Sequence, residues 1–64
     1  MRQFECPYCQ ECPTTEEWNK YNQIAIVTFG LSPLPQGYDE GDDAASLDCP
    51  ACEERVMVTD LMEV

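Results

Sequence analysis

The sequence contains no histidine, only three basic residues (Arg2, Lys20 and Arg55) and only three glycines in 64 positions. Each shortage removes a class of function. Without histidine the chain lacks the side chain that ordinarily serves as a general base near neutral pH, and its serines stand in no nucleophile context. With so few cations against thirteen acidic residues, the formal charge is −10, which repels phosphate backbones and argues against direct nucleic-acid binding. The longest aliphatic run, Ile24-Ala25-Ile26-Val27, is far too short to cross a bilayer, and Met1 to Glu5 holds no apolar core of a secretory signal. No membrane association is expected. A reducing cytoplasm is the expected location.

What the chain has instead is cysteine. Cys6-Pro7-Tyr8-Cys9 and Cys49-Pro50-Ala51-Cys52 repeat one another in the form C-P-x-C and hold four of the five cysteines. A C-x2-C pair suits a tetrahedral ion because the tight turn between the thiolates aims both sulfurs at one point; a second pair completes a four-sulfur shell. The proline presets one backbone dihedral of each turn. An odd cysteine count in a reducing compartment favours coordination over a disulfide framework. Metal also supplies what a chain of this size needs, since so small a core is marginal without a staple. Cys6, Cys9, Cys49 and Cys52 are the expected ligands. Cys12 follows Cys9 at the same spacing and is the alternative ligand; the proline-containing register leaves it as a free, half-buried thiol. Four bound thiolates and one divalent ion would take the formal charge to about −12, because bound thiols are deprotonated.

Local patterns place the rest of the chain within a single domain spanning residues 1–64. Gln3 to Glu5 reads as a short strand with Phe4 inward. Thr14 and Glu17 have capping-box spacing, which predicts a helix of about two turns with Trp18 and Tyr21 on one face. Gln23 to Phe29 is rich in β-branched and aromatic residues and predicts a strand that is apolar on both faces, either covered twice or offering its outer face to a partner. Residues 30–48 hold Pro33, Pro35, Gly37 and Gly41 and predict a long acidic loop without regular structure. Val56 to Thr59 predicts a further strand, pairing antiparallel with Gln23 to Phe29 or with the N-terminal strand. The expected fold is therefore small, metal-stabilised and β-rich, with about three antiparallel strands and one short helix.

The two C-P-x-C units, each joined to a strand, resemble the knuckles of a zinc ribbon. That resemblance implies zinc, a β-rich ribbon and a role in binding protein or nucleic acid, as in transcription, translation and small phage or bacterial regulators. Gln10 and Glu53 depart from the pattern, standing where glycine often follows the second cysteine. The paired C-x2-C plan, the acidity and the acidic approach to the second knuckle are also similar to rubredoxins, which implies iron and one-electron transfer as the alternative. Four thiolates leave a metal no open position, so an enzyme is not expected. The expected function is a zinc-binding regulator or inhibitor that contacts a protein partner. Its acidic surface, with Asp39, Glu40, Asp42, Asp43 and Asp48 as the expected contact residues, would imitate nucleic acid in the basic cleft of a nucleic-acid-binding enzyme. The competing expectation is an adaptor that docks through the apolar Gln23 to Phe29 segment. For a phage-encoded chain the location would be the host cytoplasm.

Overall fold

Helix, not strand, dominates the middle of the chain. The computed structural model describes residues 2–64; Met1 lies outside them. In order, the elements are β1 (Phe4–Glu5), α1 (Thr15–Tyr21), α2 (Gln23–Phe29), α3 (Gln36–Glu40), β2 (Ser46–Asp48), β3 (Arg55–Met57), a 3-10 turn (Val58–Asp60) and β4 (Met62–Glu63). The strands form two separate antiparallel pairs, β1 with β4 and β2 with β3. The β-rich fold with a single short helix is thus corrected to a mixed α/β fold.

The first strand and the first helix form where expected, β1 one residue shorter, but Trp18 and Tyr21 do not share the buried face. Phe4 is buried in β1, and Thr14 caps α1 through a complete capping box with Glu17. Trp18 faces inward, whereas Tyr21 is largely exposed and donates its hydroxyl to Glu53 Oε1 at 2.9 Å.

Gln23 to Phe29 is where propensity misleads. The amide of Asn22 donates to Trp18 O, and that of Ile26 donates to Asn22 O, so the chain leaves α1 and re-enters a helix with one residue between. Gly30, at φ 66°, closes α2 in the left-handed conformation, and Leu31 N–H reaches back to Ile26 O at 3.0 Å. Helix penalties for Ile, Val, Thr and Phe are only about 0.7 kcal/mol or less per residue, so this local continuity overrides them. A helix also satisfies its interior backbone groups internally, where an edge strand would leave half of them open.

The long loop is likewise more ordered than its prolines and glycines imply. Asn19 clamps Leu34 on both backbone groups, at 2.7 and 2.8 Å, and α3 begins directly after Pro35. Gly37 is buried within α3, where an added Cβ would lie 3.2 Å from Ser32 O and 3.7 Å from Val58 Cγ1. Its bareness lets α3 approach the backbone carbonyl of Ser32, while a side chain would meet Val58 only at ordinary contact distance. The segment then supplies β2, whose partner is β3 in the register Leu47↔Val56; the expected pairing of Val56 to Thr59 with residues 23–29 or with the N-terminal strand is corrected accordingly. Val56 and Val58 do share the buried side.

The core joins Phe4, Trp18, Leu34, Ala45, Leu47, Val56, Val58 and Leu61 to Cys6 and Cys49. Outside it, Arg2 bridges Asp39 of α3 and Glu63 of β4 with two hydrogen bonds to each, at 2.6–2.9 Å. Hydrogen bonding to Arg2 holds both carboxyls below their ordinary range. A lowered folded-state pKa means this clamp contributes its full stability above the ordinary carboxylate range and loses it as pH falls from that range through the lowered folded-state values.

Candidate metal centre

The two knuckles are built alike. Cys6 N–H donates to Glu11 O and Gln10 N–H to Cys6 O, both at 2.9 Å; Cys49 N–H donates to Glu54 O at 2.9 Å and Glu53 N–H to Cys49 O at 2.8 Å. Inside each turn an amide points at the first sulfur, Tyr8 N–H at Cys6 Sγ (3.4 Å) and Ala51 N–H at Cys49 Sγ (3.3 Å). Gln10 and Glu53 take φ values of 62° and 64°. Glycine is missing from both positions, yet the backbone adopts the conformation glycine favours, at a cost of roughly 1–2 kcal/mol per residue. That two side-chain-bearing residues accept it shows how strongly the surrounding hydrogen bonds fix the turns.

Two different scaffolds carry the knuckles. The first sits between β1 and a return leg in which Phe4 N–H donates to Pro13 O, and the second is the tip of the β2–β3 hairpin. Helix α1 ties them together. Trp18 Nε1 donates to Phe4 O at 3.2 Å, two residues before Cys6. Four residues along, Asn22 Nδ2 donates to Asp48 O (2.9 Å) while its Oδ1 accepts from Asp48 N–H (2.8 Å), one residue before Cys49. Neither role was evident from residue type. The available signal was the placing of Asn19 and Asn22 at helical spacing beside Trp18 and Tyr21, since asparagine is a poor helix former that readily bonds backbone groups.

The result is a compact sulfur cluster. Cys6, Cys9, Cys49 and Cys52 have all four Sγ atoms within 4.8 Å of one another. Cross-knuckle separations are 3.7 Å for Cys6–Cys52 and 3.8 Å for Cys9–Cys49. A tetrahedron with metal–sulfur bonds of about 2.3 Å has edges of about 3.8 Å, so the donor set fits zinc, while a disulfide would need about 2.05 Å. Iron in four-sulfur coordination is compatible with the same donors.

As free thiols the four are not equivalent. Desolvation opposes ionisation of Cys6, but amide donors at Cys9 and Tyr8, together with the Cys9 and Cys49 thiols, outweigh it and lower its pKa. At Cys9 a backbone donor from Glu11 favours the thiolate, yet burial and the three neighbouring sulfurs push the thiol up to about 12. One thiolate therefore makes the next harder to form. A bound cation removes that conflict by compensating the charge of all four.

Comparison with known protein families, with curated proteins and with solved structures finds no match. The assignment of the centre rests on its geometry. Cys6 and Cys49 are buried, and Cys9 and Cys52 are half-buried. Four protein sulfurs would close a tetrahedral shell, which suits a structural or electron-transfer metal and offers no site for a bound water.

Cys12 lies outside the cluster, half-buried, with its Sγ 3.9 Å from Gln10 O. Cys12→Ser is expected to retain one metal per chain and to shift the melting temperature by no more than a few degrees, in keeping with a surface substitution. Loss of metal from this variant, read by elemental analysis, would move Cys12 into the ligand set.

The acidic residues are not one uniform patch. Asp39 is engaged by Arg2, Asp42 Oδ1 accepts from Ala44 N–H at 3.1 Å, and Asp48 lies 3.6 Å from the Arg55 guanidinium. Glu40 and Asp43 are exposed, as are Glu53 and Glu54 beside the second knuckle. Among the described residues, no helix is long and apolar enough to cross a membrane.

Proposed function

We propose that the chain is a non-enzymatic protein-interaction module of the cytoplasm. One zinc ion held by Cys6, Cys9, Cys49 and Cys52 would fix its fold, and its acidic surface would occupy a basic protein cleft of the kind that takes nucleic acid, making it a small regulator or inhibitor. The observation that carries this reading is a closed four-sulfur centre in a chain with a formal charge of −10. Two of its three cations are drawn into acid pairs, Arg2 with Asp39 and Glu63, and Arg55 with Asp48. Little positive charge is left to meet an anionic partner.

The test is the salt dependence of association with a basic nucleic-acid-binding enzyme recovered from the source cell. Replacing Glu40, Asp43, Glu53 and Glu54 by Gln or Asn is expected to slow association severalfold at low salt and to flatten its salt dependence, with metal content unchanged. Asp39 is left in place because it holds Arg2. Binding that is indifferent to salt in the parent protein would remove the acidic surface from the account.

A second reading, an electron carrier with iron in the same site and similar to rubredoxin, is favoured by one observation. Both knuckles aim amides at sulfur, and such N–H···S bonds tune a thiolate-bound iron centre. A red protein whose visible absorption bleaches on reduction would select it over zinc.

A further inference from the structure

Helix α2 has no buried residue. Ile24, Val27 and Phe29 are 82%, 76% and 75% exposed, the three most open large apolar side chains among the described residues. At about 100° of rotation per residue, Val27, Ile24, Thr28, Ala25 and Phe29 follow one another around an arc of roughly 200°, apolar but for Thr28. Ile26, at the opposite side, is packed against the core. Beyond Phe29 and Ala25 the helix surface runs into an open groove of about 320 Å³ against β2 and β3, where Leu31 and Ala44 extend the apolar lining and Asp48 and Arg55 stand at the wall. Tyr21, half-open at the start of the stripe, donates its hydroxyl to Glu53, bringing a second acid to the margin.

An apolar stripe of this kind on a chain with only 4043 Å² of surface is out of keeping with a solitary soluble protein. A standard interface takes about 800 Å² from each partner, roughly a fifth of this surface. Charge decides what covers it. A second copy would bring another −10 against the first, and nucleic acid or an anionic membrane would be repelled likewise. The cations of this region are Lys20, one turn before Ile24, which follows Glu16 at a spacing that offsets its charge, and Arg55 at the groove, which lies 3.6 Å from Asp48.

We propose that the outer face of α2 and its adjoining groove seat an amphipathic protein segment that presents apolar side chains inward and lysine or arginine at its flanks. Apolar contact with Ile24, Val27 and Phe29 supplies the anchor; Glu53, and Asp48, whose side chain stays 45% exposed beside Arg55, receive the flanking cations. The inference rests on the reading of the chain as a module for a basic partner and says where that partner grips.

Three synthetic helical peptides provide the test, each titrated by fluorescence anisotropy into the zinc-loaded protein: leucine on one face with lysine on the other, serine in place of leucine, and glutamate in place of lysine. The leucine–lysine peptide is expected to bind at least tenfold more tightly than either control. The combined variant Ile24→Gln, Val27→Gln, Phe29→Gln, all at exposed positions, is expected to lose at least tenfold in affinity for that peptide, with metal content and far-ultraviolet circular dichroism unchanged. Equal binding of the leucine–lysine and serine–lysine peptides, or unaltered binding by the variant, overturns the proposal while leaving the acidic surface standing. Tight binding of the leucine–lysine peptide that ignores salt and is matched by leucine–glutamate overturns the basic partner and with it both readings. A parent protein that sediments as a dimer, with the variant a monomer, assigns the face to a second copy and overturns it as well.

Discussion

Cys49→Ser is expected to abolish the fold rather than weaken it. The Cys49 side chain is fully buried, its sulfur lies 3.8 Å from that of Cys9, and the amide of Ala51 is directed at it. A structural zinc site contributes on the order of 10–16 kcal/mol in small domains at neutral pH, whereas the net stability of a chain this size is only a few kcal/mol. Losing one of four ligands sacrifices enough of that contribution to leave the remaining core insufficient. Circular dichroism should show loss of helical signal at room temperature, with zinc below stoichiometric content. A variant that kept both its metal and its melting transition would show that the centre is incidental to the fold.

The second large effect is expected at a residue with no sulfur. Asn22 is the buried polar side chain among the described residues, 4% exposed, and its amide group bonds Trp18 O and both backbone groups of Asp48. Asn22→Ala leaves the amide and carbonyl next to Cys49 without partners. Each unsatisfied buried group costs about 1–3 kcal/mol, so a loss of about 3 kcal/mol is expected in chemical denaturation of the zinc-loaded protein. Because the same bonds place the second knuckle, zinc transfer to a chelator should also accelerate. A loss below about 1 kcal/mol with unaltered transfer would mean that β2 holds the knuckle without help from the helices.

The cysteine spacing made the centre legible because ligand geometry is written locally, in two short turns of one form. The first helix was equally legible, since Thr14 and Glu17 satisfy each other within one turn and need nothing distant. Gln23 to Phe29 was not. Its β-branched residues carry a weak preference for strand, and the outcome was set by Asn22, whose amide closes α1 and whose carbonyl accepts from Ile26 N–H to open α2, with the left-handed Gly30 ending that helix. Residues 30–48 are more ordered than a loop because Pro33 and Pro35 break a helix only in its interior. In the fold they stand before α3, where proline is tolerated, and Gly41 closes it. The link between the knuckles was hidden for a different reason. Asn22 and Asp48 are far apart in sequence, and the bonds between them involve backbone groups that residue type does not reveal.

The same helix assignment changes the meaning of the apolar segment. As a strand it would have had two apolar faces to cover, and the chain has little material for that. As a helix it packs the half-buried Ile26 against the core and leaves Ile24, Val27 and Phe29 exposed.

The central claim is that four cysteines from two matched knuckles hold one zinc. The most direct measurement is the intact mass of the purified protein under non-denaturing conditions, which reads the metal and the state of the thiols together. The account predicts one zinc per chain and all five cysteines reduced, with the metal released on acid denaturation. Iron in its place would give the site to electron transfer, and a folded, metal-free chain or one bearing disulfides among Cys6, Cys9, Cys49 and Cys52 would contradict the account outright.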